Sequence, residues 1–272
     1  ACLMSGLSTP DNKIFRVVDR YKKQPKTLAS MRYLPPENDR HLGKGVGIDP
    51  DLTLLPEALK ENGYHTAGFG KWHLGDQPEF LPTNQGFDHY FGIPYSNDMW
   101  PGNNRGNPVT NRGPYEPLPV MRGHEAVAYV SDGADQSLLC EAVTDAAIEF
   151  IEDHRDESFF CYVPHAYIHN PRFARPEILQ RAEGDTRRAN IEEVDDSVGR
   201  ILAVLRELKL AENTLVMFTS DNGGADIGPL RGAKGGPKYE GHMREPTLTW
   251  WPGTIPAGGR RCFLPWPPPA PS

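Results

Sequence analysis

The sequence of 272 residues is poor in cysteine, in long hydrophobic runs and in excess positive charge. Its four cysteines form no C-x-x-C pair, which argues against a zinc ribbon or a dithiol redox motif. Apolar runs such as residues 159–163 are far too short to span a bilayer. The net charge of −7 argues against a broad basic surface for nucleic acid. The composition therefore predicts a globular protein without a membrane span or a nucleic-acid partner.

Glycine and proline are abundant instead, and predicted strands alternate with predicted helices. Apolar periodicity predicts helices at residues 53–62, 135–154 and 187–208. Short apolar runs predict strands at residues 65–69, 159–163, 214–219 and 247–251. This alternation is typical of an α/β fold with a largely parallel central sheet and helices on both faces.

Burial and loop content are also predicted from these patterns. The runs at 159–163 and 214–219 are continuously apolar, which predicts fully buried strands. In the helix at 187–208, an apolar stripe that includes Ile191 and Val194 is predicted to face the core. Residues 81–134 are rich in glycine, proline and asparagine and are predicted to be largely irregular.

Polar residues follow three of the predicted strands. Lys71 and His73 come after the first strand, in the stretch GFGKWHLGD, and His165 and His169 come after the second. The third is followed by SDNGG at residues 220–224. Ligands of open parallel sheets bind at the carboxyl ends of the strands, so the three clusters together predict one site.

The residue types in these clusters suit an oxyanion and a hard cation. Asp221 and Asn222 offer the oxygen ligands that Ca²⁺ and Mg²⁺ prefer. Lys71, Lys234 and the histidines offer donors for sulfate or phosphate, and glycines let the backbone approach closely. Each cluster alone also has an ordinary explanation, because SDNGG is typical of a surface turn and His165 of a structural histidine.

Several segments resemble the type I sulfatases. GYHTAGFGKWHLG at 63–75 resembles the family's second signature, and PTNQGFDHYFGIPYSNDM at 82–99 resembles the segment that comes after it in the arylsulfatase A branch. HNPRF at 169–173 resembles the branch's histidine loop. SDNGG and LRGAKGGPKYEGHMREP at 230–246 resemble the metal and lysine loops. The order of the motifs matches, and the resemblance extends to about Gly259.

The resemblance implies the alkaline-phosphatase-like fold and assigns roles in the binding and cleavage of a sulfate ester. Lys71 and Lys234 would bind sulfate oxygens, and His73 would orient the catalytic aldehyde hydrate. His169 would protonate the leaving alcohol or bind sulfate. Ser96 corresponds to a serine near the sulfate in the arylsulfatase A branch.

The resemblance also implies cofactors, partners and a compartment. Asp221 and Asn222 would ligate Ca²⁺, with Mg²⁺ as the alternative. The substrate would be a small-molecule or carbohydrate sulfate ester, and the full-length protein would need a formylglycine-generating enzyme. A secreted, periplasmic or lysosomal location is expected, although no secretory signal is visible at Ala1.

The sequence departs from the family at the nucleophile. The family forms a formylglycine from cysteine in the motif C-x-P-S-R, which this sequence does not contain. The opening ACLMSGL resembles the segment immediately after that motif, and the neighbourhood of Cys2 has neither its proline nor its arginine. The upstream paired aspartates are also missing, and His242 replaces a usual glycine. We therefore expect residues 1–261 to be a catalytic domain truncated at both ends, inactive alone, and residues 262–272 to be an unstructured Pro-rich tail.

Two other functions stay open from the sequence. One is a phosphatase or phosphonate hydrolase of the same superfamily, which would use the same metal chemistry. The other is a pseudoenzyme that only binds an anion. The coding DNA upstream of Ala1 separates these alternatives, because a C-x-P-S-R motif there favours an enzyme and a start codon favours an inactive product.

Overall fold

A computed structural model describes residues 47–100, 117–224, 229–234 and 239–259. Cys2, Cys262 and the predicted tail at 262–272 lie outside the described residues. The chain divides into two units, one up to Val204 and one from Leu205 onward. Among the described residues, no helix has both the length and the apolar character needed to cross a bilayer.

The first unit contains a mixed five-stranded sheet in the order β4-β3-β2-β1-β5. Its strands are β1 His65–Lys71, β2 His89–Ile93, β3 Leu118–Arg122, β4 Glu125–Val130 and β5 Phe159–Tyr162. β1 pairs in parallel with both β2 and β5, whereas β3 pairs antiparallel with β2 and β4. The predicted α/β fold is confirmed, with an antiparallel hairpin at one edge of the sheet.

The prediction that residues 81–134 are largely irregular was wrong, because three of these strands lie there. Gly92 lies within β2 and Pro119 within β3. Glycine and proline are typical of loops, so these two strands resemble the loop sequences around them. Gly123 makes the turn between β3 and β4 with a φ of +58°. The part at 101–116 lies outside the described residues.

Among the described residues up to 207, the helices differ from the predicted ones mainly at their ends. They are α1 Leu55–Glu61, α2 Gly133–Ser137, α3 Leu139–Asp153, α4 Pro176–Arg181 and α5 Thr186–Glu207. The predicted helix at 135–154 is divided into α2 and α3, and it starts earlier because the Asp132 carboxylate caps the Asp135 amide at 2.9 Å. The short helix α4 was not predicted.

Helices pack on both faces of the sheet, as predicted. On one face, Phe150 of α3 contacts Phe69 of β1 and Phe159 of β5. On the other face, Phe87 and Tyr90 form a buried cluster with Leu54, which precedes α1. Side chains alternate along a strand, so successive residues of β1 face the apolar clusters on opposite sides of the sheet.

The buried face of α5 is partly polar, although Leu205 of the predicted stripe is buried, so the prediction was wrong in part. Ile191 is 48% exposed, whereas Glu193 and Ser197 are each only 3% exposed. Polar side chains of the neighbouring elements meet this face: Arg175 contacts Glu193, and Thr144 contacts Ser197. Periodicity alone does not reveal such partners.

The second unit contains a two-stranded antiparallel sheet, β6 Val216–Thr219 with β7 Thr247–Trp250, and the short helix α6 Glu240–Met243. The run at 214–219 was predicted to be buried, and this was wrong. Met217, Phe218 and Leu248 are all exposed, by 57%, 43% and 68%. Within the described residues, β6 pairs with β7 alone, so an apolar composition here does not mean a central strand.

Two glycines allow the backbones of neighbouring strands to approach closely at the carboxyl end of β1. Gly70 has a φ of +131°, and a Cβ at this position would lie 2.3 Å from the Pro164 carbonyl oxygen. Gly92 has a φ of +156°, and its Cβ would lie 2.0 Å from the Gly70 carbonyl oxygen. Both clashing atoms belong to the backbone, which cannot move away from an added Cβ as a flexible side chain can.

We expect Gly70→Ala to lower the free energy of unfolding by about 3 kcal/mol or more, because it adds a backbone clash to an unfavourable φ. The control is Gly63→Ala, where φ is +81° but no atom lies within 4 Å of the added Cβ. That change should cost only about 1 kcal/mol. Urea unfolding of both variants measures the difference, and equal losses would contradict the steric argument.

Candidate active site

Lys71 and His73 lie at the carboxyl end of β1, where backbone hydrogen bonds fix the chain on both sides. The Lys71 amide donates to the Pro164 carbonyl at 2.8 Å, beyond the end of β5. The His73 amide donates to the Pro94 carbonyl at 3.0 Å, beyond the end of β2. Between them, the buried Trp72 donates its indole N–H to the Phe80 carbonyl at 2.8 Å. The segment is therefore held before any ligand arrives.

Asn97 connects the loop after β2 to the loop after β5. Its side-chain amide donates to the carbonyl oxygens of His169 and Pro171, at 3.4 and 3.5 Å. Ser96 precedes it and is only 2% exposed. The sequence did not single out Asn97, because its contacts lie more than seventy residues further along the chain. The loops carrying Ser96 and His169 are thus brought together.

His165 is part of a largely buried hydrogen-bond network that connects the chain after β5 with α3 and α5. Its Nε2 atom lies 3.1 Å from the Ser197 hydroxyl, which lies 2.6 Å from the Thr144 hydroxyl. Its Nδ1 atom lies 3.7 Å from the Cys140 sulfur. Burial lowers the pKa of His165 to about 4, so the imidazole is neutral at physiological pH. These contacts favour the structural explanation that the sequence left open.

Lys71 and His165 line the same small cavity, beside Tyr167 and Cys140. Because His165 is neutral, it adds no second positive charge next to the lysine. Burial raises the pKa of the Cys140 thiol to about 12, with a further contribution from the nearby Glu193 carboxylate. A thiol with that pKa is protonated at neutral pH and is not a nucleophile.

In the second unit, two polar loops pack against α6. The first contains Asp221 and Asn222, and its Gly223 amide donates to the His242 carbonyl at 3.1 Å. The second begins at Arg231, whose carbonyl accepts from the Gly241 amide at 2.9 Å. His242 enters these contacts through its backbone.

The loop from Arg231 to Lys234 is held by Tyr239. The Arg231 guanidinium lies over the Tyr239 ring, 4.2 Å from its centroid, and donates to its hydroxyl at 3.0 Å. Gly232 has a φ of +85°, which favours glycine at the bend. Lys234 comes after this anchored stretch and is exposed.

Asp221 and Asn222 suit Ca²⁺ in the chemistry of their donors. Asp221 is exposed and Asn222 is half-buried, so neither side chain is enclosed by the core. The Ser220 hydroxyl donates to the Asn222 carbonyl at 3.2 Å and shapes the turn. Ca²⁺ takes about six to eight oxygen ligands, so these two side chains supply only part of a coordination shell.

Comparison with known proteins shows the family of this chain. The sulfatase family model matches residues 23–261. The chain belongs to the sulfatase family. N-acetylgalactosamine-6-sulfatase from Sus scrofa is 38% identical over 228 residues, which cover 78% of this chain and 42% of that protein. Arylsulfatase A from Homo sapiens is 33% identical, over 78% of this chain and 45% of that protein. This sulfatase chain thus spans less than half the length of these relatives.

Two solved structures share the fold. A sulfatase from Pseudoalteromonas sp. is 29% identical with a TM-score of 0.67, over 76% of this chain and 46% of that one. The structure of Ps i-CgsB is 26% identical with a TM-score of 0.70, over 94% of this chain and 55% of that one. The chain therefore has the alkaline-phosphatase-like α/β fold.

The lowered pKa of His165 predicts a pH dependence of stability. Between pH 6.5 and about 4 the unfolded chain binds a proton that the folded chain does not, so the free energy of unfolding falls as the pH is lowered. Relative to His165→Gln, the unsubstituted protein should lose about 3 kcal/mol more across this window. Urea unfolding of both proteins at a series of pH values measures the difference. Parallel pH profiles would show that His165 does not titrate in this way.

Proposed function

We propose that this chain provides the sulfate-binding part of an enzyme that hydrolyses sulfate monoesters. The observation that supports this most directly is the fixed position of Lys71 and His73 at the carboxyl end of β1. The Lys71 amide is hydrogen-bonded to the chain beyond β5, and the His73 amide to the chain beyond β2. Donors held in place before the reaction need no reorganisation as charge develops, which makes such sites effective on oxyanions.

In this proposal, the site residues bind the sulfate and assist the cleavage of the ester bond. Lys71 and Lys234 neutralise sulfate oxygens, and Ser96 donates a further hydrogen bond. His73 orients the nucleophile, and His169 gives a proton to the leaving alcohol oxygen or binds the sulfate. Because His165 is neutral, Lys71 is the only charged side chain among the described residues that line their shared cavity.

The full activity would also need a cation and a modified cysteine. Asp221 and Asn222 would hold Ca²⁺, or Mg²⁺ as the alternative, and the bound cation would supply positive charge beside the sulfate. A formylglycine from a C-x-P-S-R motif would supply the nucleophile, and the 272-residue sequence has no such motif. A formylglycine-generating enzyme is therefore the proposed partner of the complete protein.

The names of the relatives support a carbohydrate sulfate ester as the substrate class. N-acetylgalactosamine-6-sulfatase is more similar to this chain than arylsulfatase A is, and Ps i-CgsB has been solved in complex with k-i-k-neocarrahexaose. A secreted, periplasmic or lysosomal compartment is proposed on the family resemblance. A phosphate ester remains the alternative substrate, and a purely anion-binding role remains the non-catalytic alternative.

We expect no turnover of sulfate esters by the 272-residue chain, because covalent catalysis needs an activated nucleophile within reach of the substrate. A longer chain with a C-x-P-S-R motif and the paired aspartates, co-expressed with a formylglycine-generating enzyme, should hydrolyse p-nitrophenyl sulfate or sulfated N-acetylgalactosamine. In that chain, Lys71→Ala should lower kcat/KM by about 10²–10³.

The control is Lys209→Ala, which removes an exposed lysine and should leave kcat/KM unchanged. p-Nitrophenyl phosphate is assayed in parallel, and faster turnover of the phosphate would favour the phosphatase alternative. Lys71-dependent turnover by the 272-residue chain alone would contradict the inference that its nucleophile is missing.

We also expect weak Ca²⁺ binding by the 272-residue chain, since Asp221 and Asn222 supply only two side-chain ligands. Isothermal titration should give a low affinity that Asp221→Ala abolishes. A sub-micromolar dissociation constant would mean that further residues, such as Glu240, complete the shell.

A further inference from the structure

A second cluster of metal-ligating side chains lies at the end of β1 opposite Lys71. His65, His154 and Glu157 each offer one ligand atom, and the three atoms lie within 4.8 Å of one another. The His65 Nε2 atom is 3.0 Å from a Glu157 carboxylate oxygen. The His65 and His154 rings have centroids 4.8 Å apart. Two imidazoles and a carboxylate therefore converge on one point of the surface.

Regular structure holds these three residues in place. His65 begins β1, and its amide donates to the Ser158 carbonyl at 2.8 Å. His154 is the C-terminal cap of α3, and its carbonyl accepts from the Glu157 amide at 3.0 Å. The cluster is thus built on the first residue of β1, a strand paired on both sides, and on the tight turn that leads into β5. Sites on such elements keep their geometry better than sites on long loops.

The tautomer of His154 suits metal binding. Its Nδ1 atom lies 2.9 Å from the Phe150 carbonyl oxygen. A carbonyl only accepts hydrogen bonds, so Nδ1 carries the proton and Nε2 presents its lone pair. Metal-ligating histidines commonly donate their other ring N–H to a backbone carbonyl in this way.

We propose that His65, His154 and Glu157 bind Zn²⁺, with water in the remaining position. Two ring nitrogens and one carboxylate oxygen are a ligand set that Zn²⁺ accepts, whereas Ca²⁺ and Mg²⁺ prefer oxygen alone. Tetrahedral ligands of zinc lie about 3.4 Å apart. The side chains of His65 and Glu157 are half-exposed, so they have room to rotate to this spacing.

This zinc site stabilises the fold rather than acting on the substrate. Along β1, His65 and Lys71 are separated by about 20 Å at the rise of an extended strand. The bound ion connects the start of β1 to the turn between α3 and β5, and these two strands pair with each other in the sheet. A ligand that binds only the folded state raises its stability.

The test compares Zn²⁺ binding by the full 272-residue chain and by three variants, using equilibrium dialysis and thermal unfolding. His65→Gln and His154→Gln each remove one ligand. The control is His89→Gln, because this exposed histidine lies beside His154, with ring centroids 5.8 Å apart, but outside the cluster. His89→Gln makes the same chemical change as the two variants, at a neighbouring position on the surface.

We expect the unsubstituted chain and His89→Gln to bind one more Zn²⁺ per chain than the other two variants. Saturating Zn²⁺ should raise their Tm by about 5–10 °C and should leave the Tm of His65→Gln nearly unchanged. An excess of Ca²⁺ should not displace the zinc. Equal zinc stoichiometry in all four proteins, or zinc binding without a Tm increase specific to the intact cluster, would overturn the proposal.

Discussion

The hydrogen bond from the Lys71 amide to the Pro164 carbonyl joins the end of β1 to the chain beyond β5. It forms because Gly70 has no Cβ to collide with that carbonyl, and because Gly92 leaves room for the Gly70 carbonyl in turn. The Tyr90 hydroxyl then donates to the Gly70 carbonyl at 3.0 Å. Three strands are thereby packed more closely than side chains would allow, and this packing sets the direction of the chain at Lys71.

The same edge of the sheet rests on a polar layer between β5 and the helices. His165, Ser197 and Thr144 satisfy one another's hydrogen-bonding groups inside the fold. Arg175 donates to both Glu141 and Glu193, at 2.7 and 3.0 Å, and so connects the start of α4 to α3 and α5. Leaving one of these partners unpaired inside the fold would be costly, so the pairs restrict how the helices can pack.

Local sequence patterns predicted those helices and strands that depend mainly on neighbouring residues. Short apolar runs and periodicity indicate the strands β1 and β5 and the helix α5, and Lys71 stood out because glycines surround it. The burial of Ser197 and the contacts of Asn97 depend on partners that are distant in the sequence, so no local pattern reveals them. The apolar run of β6 predicted burial, but burial depends on a covering layer that composition does not specify. The roles assigned to Ser96, His169 and Lys234 came from family motifs and remain predictions.

The burial of Cys140 has a consequence for the redox chemistry of the protein. With a pKa of about 12, only about one thiol in 10⁵ is ionised at neutral pH, and thiolate is the species that attacks disulfides and oxidants. Cys140 is also only 4% exposed, so soluble reagents have little access to it in the folded state. Cys140 can therefore persist as a free thiol in an oxidising compartment while the protein remains folded.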